Sequence, residues 1–491
     1  MRNYKLIGLV LLTLFLSCSD DFLEKNPLDQ VSSETFWKSE ADAHTALVGV
    51  YNSMQASIFS VTRYNLDCLT DNGHNRTNAN QVMSISRGDL LPATGGIVNS
   101  IYNDAYKGIS ACNIFLKNIT DIEMNASVRE QYIAEVKFIR AWYYFNLQQF
   151  FGDVVIYDTP PTVEESKIKQ SSSQNVLEFI HSDLDDAIAS LPNTPYTGNI
   201  VKNTALALKA KVHLHNKEWS QAADLTSQIM ISGTTSLSDD FTGLFITSGQ
   251  EANPDEILFS VKFLAPDNYH SYQIYVGWWS EPNPRQELVD IYESVDGISI
   301  SQSPLYNPLS PFENRDPRLL QTIQVEPWFI DGNEIQQETT NTGYRIQKGI
   351  DKNIGPLGYD TLSDMDIIHL RFADVLLMYA EAQNEAVGPD QSVYNAINAV
   401  RSRSNMPDLP VQLSKDEMRE RIRLERRVEL AFEGHHYLDL KRWGVIEDAL
   451  SKVDEPGLGI GGLKFKSHHY NWPFPQSEID RNPELDQKDG Y

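Results

Sequence analysis

The sequence predicts a mainly α-helical protein: paired helices form a scaffold, and an irregular region of loops and short strands is set between them. Three observations predict it. Long segments repeat apolar residues at helical spacing. Two Ala-rich helical pairs are joined by tight turns. Residues 233–365 are instead rich in Pro, Gly, Asn and aromatics and show few helical periods.

The chain opens with Arg2 and Lys5, then an apolar run from Leu6 to Leu16 broken by Gly8 and Thr13. A membrane-spanning helix needs about 20 apolar residues, so residues 1–17 read as a secretory signal peptide. In "LFLSCSDDFLE" the small Ser17 precedes Cys18. The segment resembles a bacterial lipoprotein signal with Cys18 as the acylated first residue, although Phe15 and Leu16 are bulkier than usual there. Ser19, Asp20 and Asp21 resemble the acidic tag that sends some lipoproteins to the outer surface. Several acyl chains on one cysteine, at about 0.8 kcal/mol per buried methylene, would anchor the protein firmly.

After an extended stretch with Pro27, a helix is expected from Phe36 to Met54. Residues 60–100, centred on "TDNGHNRTNANQ", read as a long polar loop of the kind that often carries function. Helices follow at 99–119 and 126–151. In the second, Tyr132, Val136, Ile139, Tyr143, Leu147 and Phe150 form one stripe, and Phe138, Ala141, Trp142 and Phe145 a second, so it should be buried on most sides. Gly152 ends it before the strand-like "DVVIYD". Another helix spans 174–190. The pair 203–216 and 218–231, turning at "NKEW", resembles a tetratricopeptide-type hairpin, as does the pair 367–386 and 390–404 around "VGPD". A last long helix runs from Ser414, a capping residue with Glu417 three positions on, to about Glu433. The scaffold is thus expected over about 34–232 and 366–450, with the irregular insert over about 233–365.

Formal net charge is −26, and so acidic a surface repels phosphate backbones, which argues against nucleic acid as a partner. No CxxC or HExxH pattern is present, and the His213/His215, His435/His436 and His468/His469 pairs cannot face one metal from a regular helix. No metal or cofactor is expected, and these histidines read as surface or packing residues. Cys68 and Cys112 read as buried thiols, with a disulfide as the alternative.

Five further stretches occur in order: "SPFENRDPRLLQTI", "RFADVLLMYAEAQNEA", "AINAVRSRSNMPDL", "RIRLERRVELAFEGHHYLDLKRWG" and "WPFPQSEIDRNPELDQKDGY". With "CSDDFLEKNP" they resemble the SusD/RagB family of outer-membrane lipoproteins of Bacteroidetes over essentially all of 18–491. His436 departs from the resemblance, since that position usually carries arginine. The resemblance implies a tetratricopeptide-like scaffold, a ligand site in the irregular region, no enzymatic activity, and a SusC-like TonB-dependent transporter as partner. It implies capture of oligosaccharide at the outer membrane, facing the exterior; peptide capture is the alternative and a secreted glycoside hydrolase a more distant one. It also places ligand-contacting polar groups in the first loop, making Asn72, His74, Asn75 and Arg76 candidates beside the reading of an ordinary solvated loop. Asp71 looks like the family's fixed loop acid.

Sugar rings lay C–H faces on aromatic faces while their hydroxyls need polar partners. Trp278, Trp279, Tyr306 and Trp328 in the insert are therefore ligand candidates, each with a buried-anchor alternative. If 278 and 279 are extended, their side chains point opposite ways and only one faces ligand. Glu425, Glu429 and Glu433 share one face at i,i+4 spacing; they read as ion-paired or solvated charges rather than as a hydrolytic pair.

Overall fold

The computed structural model describes residues 36–252, 254–325, 328–330, 333–335, 340–354 and 357–491. The signal segment and Cys18 lie outside them. Among the described residues, ten helices have eight or more residues: α1 Glu40–Asn52, α2 Ile97–Asn118, α3 Ala126–Phe151, α4 Ser173–Ser190, α5 Lys202–His215, α6 Trp219–Met230, α7 Phe372–Ala386, α8 Gln391–Arg403, α9 Lys415–Glu429 and α10 His436–Trp443. The fold is mainly α.

α3 is the central strut. Asn125 caps it by accepting from the backbone N–H groups of Ser127 and Val128, and Gly152 ends it at φ 67. Both predicted stripes are buried apart from the half-buried Tyr132, with contacts to α2 and to α4. α5 and α6 form one hairpin; α7 packs against α6 and forms a second with α8, and α9 closes over it. Ser414 and Glu417 make the expected capping box on α9. One apolar cluster runs from Ala43 to Leu485 through all these elements.

The α2–α3 contact depends on Gly108, where a Cβ would lie 2.1 Å from the ring of the buried Tyr143. Gly108→Ala is expected to destabilise the protein by about 1–3 kcal/mol through overpacking, read as an earlier denaturant midpoint. Cys68 and Cys112 are separate buried free thiols, and burial pushes both well up from the usual thiol range. In the chain 19–491, neither should react with iodoacetamide until the protein is unfolded, when both should.

Three expectations are corrected. Residues 367–371 form a strand rather than the start of a helix: Ile367–Arg371 pairs antiparallel with Ile257–Val261, as its β-branched pair and full burial favour. α9 stops at Glu429, because Phe432 and Gly434 turn the chain at φ 62 and 75. The Asp67 carboxylate holds that turn, accepting from Phe432 N–H at 3.1 Å and Gly434 N–H at 2.8 Å. Residues 60–100 are largely not a solvated loop. They contain a buried 3-10 helix Arg63–Leu69, strand β1 Gly73–Asn75 and the short helix Val82–Ser86. β1 pairs antiparallel with the insert's Pro282–Pro284.

Candidate functional site

The Glu row of α9 lies in a buried network of twelve charged groups. Arg318 pairs with Asp316, Glu425 and Glu429; Arg371 with Glu256, Glu429 and Glu433. Arg403 joins Glu256 to Glu429, Arg401 joins Glu293 to Glu425, Lys348 meets Glu433 and Arg421 meets Glu293. Six carboxylates thus face six cations. Burial alone would raise Glu429, but Arg403, Arg371 and Arg318 outweigh it and hold it well below the usual carboxylate range. Glu425, Glu429 and Glu433 are each committed to cations, and their work is to join the insert to α8 and α9.

Nearby, Asp71 receives His436 Nε2 at 2.9 Å and Arg427 Nη2 at 3.0 Å. The histidine that departs from the family pattern is thus bonded to the loop acid. Burial works against the Asp71 charge, and Arg427 and then His436 still hold its carboxyl well below normal. Asn72 is bonded on both ends, donating to Asp67 at 2.9 Å and accepting from Arg427 at 2.7 Å. His74 is buried against Glu455 at 3.3 Å, with Nε2 3.0 Å from the Asn341 amide. Burial would push Glu455 up, but His74 and Arg285 bring it down to about 2. Asn75 is buried, and its amide has no hydrogen-bond partner among the described residues. Asn72 and His74 therefore brace this segment from inside. Arg76 is half-buried; its Nε also lacks a partner among the described residues.

β1 leads to the insert's aromatic group. Arg76 N–H donates to Glu281 O at 2.9 Å, and Thr77 binds the Glu281 carboxylate through N–H (2.9 Å) and hydroxyl (2.6 Å). Just before Glu281, residues Gln273–Trp278 form a π-helix rather than an extended segment. Trp279 N–H donates to Ile274 O at 2.7 Å, and Arg345 donates to Gly277 O. Gln273 is clamped to the 349–351 loop, donating to Gly349 O at 2.6 Å. This wide turn corrects the expectation that the two tryptophans point opposite ways. Both are half-buried, with ring centroids 6.5 Å apart and planes at 31°. Tyr275 packs on Trp279 at 5.1 Å, and Tyr359 lies edge-on to Trp278 at 5.0 Å and Trp279 at 6.0 Å. Tyr359 is 75% exposed. The result is an outward-facing aromatic wall on a clamped backbone, with Arg76 and Thr77 beside it just past the end of β1.

Tyr275 and Tyr359 were not among the sequence candidates. Tyr275 sits three residues before Trp278, a spacing that becomes informative once the segment is helical. Tyr359 is remote in sequence and carries no local signal. Tyr306 belongs to another loop, where it packs against the guanidinium of Arg315 at 5.6 Å. Trp328 starts the strand Trp328–Ile330, paired with Asn333–Ile335; its side chain is outside the described residues. A separate cleft of about 480 Å³ is lined by Tyr102, Tyr106, Tyr157, Glu478 and Arg481 among others. None of the sequence candidates lines it, and the Tyr106 and Tyr157 hydroxyls are already committed to Val155 O and Ser166 O.

Comparison with known proteins agrees with this architecture. A family model described as the SusD family matches residues 260–491, and one described as starch-binding associating with outer membrane matches 21–214. SusD-like protein P25 of Formosa agariphila is 26% identical over 98% of both chains. A solved SusD-like carbohydrate-binding protein of Bacteroides fragilis superposes with TM-score 0.81 at 27% identity, covering 92% of this chain and 100% of that one. A laminarin-binding SusD-like protein gives TM-score 0.71 at 25% identity, with the same 92% and 100% coverage. With residues 21–214 and 260–491 matched by these models and the fold shared over 92% of the chain, the chain belongs to the SusD/RagB family of starch- and glycan-binding proteins.

Proposed function

We propose that this protein captures an oligosaccharide on the Tyr275–Trp278–Trp279–Tyr359 wall and delivers it, without chemistry, to a SusC-like TonB-dependent transporter. The wall is the observation that carries the reading. Two indoles with planes at 31° and two tyrosines offer C–H-binding surfaces, and the adjoining Arg76, whose Nε has no partner among the described residues, offers a donor for hydroxyls. No helix among the described residues is long and apolar enough to cross a membrane. Attachment to the outer membrane is assigned to lipid on Cys18, and Cys18→Ser should move the protein from the membrane fraction to the soluble one.

The test is a binding screen of the chain 19–491 against polysaccharides, host glycans and peptides, with product analysis on every hit. Saturable glycan binding with intact ligand is expected. Binding to peptides alone would transfer the proposal to peptide capture, and cleavage would overturn the non-enzymatic reading.

A further inference from the structure

Three metal-ligating side chains meet where α4, α5 and the turn into α6 come together. His181 is on α4, His213 is on the last turn of α5, and Glu218 is the N-cap of α6. One ligating atom from each lies within 4.8 Å of the other two. The imidazole centroids are 4.5 Å apart with planes at 30°.

Each group is held in place by the fold. The Glu218 N–H donates to His213 O at 2.9 Å, which folds the turn back over the end of α5. This brings the Glu218 carboxylate onto His213 Nδ1 in a short hydrogen bond. His181 Nδ1 is buried and has no hydrogen-bond partner among the described residues. Nearby, Lys209 pairs with Asp185, which leaves the Glu218 carboxylate to His213.

We propose that His181, His213 and Glu218 form a binding site for a divalent transition metal of the zinc class, which clips α4 and α5 to the α6 turn. Two imidazoles and one carboxylate, with water in the fourth position, make an established zinc donor set. The metal would replace the proton between His213 and Glu218 and occupy the unused lone pair of His181. Imidazole and carboxylate donors favour zinc over magnesium or calcium, which take all-oxygen sets. The three residues are 32 and 5 positions apart, so no metal-binding spacing appears in the sequence, where His213 reads as a surface or packing residue.

The test uses the tag-free chain 19–491 after chelator treatment, titrated with Zn²⁺ by calorimetry and with Co²⁺ by visible absorption. One equivalent of Zn²⁺ is expected to bind, to raise the melting temperature, and to be competed by Co²⁺ with the d–d bands of a four- or five-coordinate N/O site. His181→Ala and His213→Ala should each weaken binding by at least the roughly 10–100-fold that loss of an outer-shell partner costs, and abolish the thermal shift. Glu218→Gln removes the charge at a side chain 38% exposed, so it provides a folded variant if a histidine replacement does not fold. His468→Ala should bind as wild type. Absence of binding at about 100 µM Zn²⁺, a concentration at which even a 1 µM site gives a clear stability gain, would overturn the proposal. Undiminished binding by the three variants would overturn it equally.

Discussion

Glu429→Gln should lower the stability of the folded protein by about 3–5 kcal/mol, the usual consequence of removing one partner from a buried ion pair. The reason is local. Glu429 faces Arg318, Arg371 and Arg403 at once, with no solvent to compensate them. Glutamine keeps the shape and loses the charge, so a network balanced at six and six carries an unpaired buried guanidinium. Urea unfolding of the purified variant measures the effect. Raising ionic strength should not restore the loss, because buried charges are screened little. A loss below about 1 kcal/mol would mean that the guanidiniums find water or re-pair.

The same network sets a pH dependence. Glu429 and Glu433 are both held below the ordinary value of 4.5 by their cations, against the upward push of burial. Groups with lowered folded pKa values bind protons more readily once unfolded. Their contribution is complete above about 4.5 and is lost as pH falls through the folded values. Asp71 and Asp374 are lowered likewise, whereas burial raises Asp183 and Asp366, which offset part of the trend. Wild type should therefore lose stability steeply below about pH 4.5, and Glu429→Gln should lose less over that interval because one of the titrating groups is gone.

Trp278→Ala and Trp279→Ala should each weaken binding of the captured glycan by about 30-fold, the roughly 2 kcal/mol typical of a truncated aromatic anchor. Both rings are half-buried, stand on a backbone held by Gln273 and Arg345, and lie outside the continuous core. Melting temperature should accordingly change little while affinity falls. Tyr359→Ala should have a smaller effect because its ring is the most exposed of the group. Tyr306→Ala should have none, since its ring packs on Arg315. Equal affinities for wild type and both tryptophan variants would show that the wall is not the ligand surface.

The helical scaffold was legible because its signals are local. Periodic apolar stripes predicted α3 in full, and the Ser414–Glu417 box predicted the start of α9. The family resemblance was legible for a related reason: the motifs that carry it are contiguous runs. Local pattern misled where partners decide. "IIHLR" reads equally as the start of a helix, and its pairing with Ile257–Val261 makes it a strand. "GHN" reads as loop until Pro282–Pro284 pairs with it. The polar side chains Asn72, His74 and Asn75 looked like ligand donors, yet they lie inside, where Asp67, Arg427 and Glu455 meet the first two.

The signal segment and helical period are properties of neighbouring residues, so they predicted the export expectation and the fold class from the chain alone, and the contiguous motif runs carried the family resemblance. The aromatic wall joins residues about 80 positions apart, from Tyr275 to Tyr359, and the charge network joins Glu256 to Glu433. Which rings face outward and which carboxylates are locked depends on contacts between segments that carry no record of one another in sequence. Those assignments follow from burial and pairing in three dimensions, because the free energy of an aromatic ring or a charge is set by what surrounds it in space.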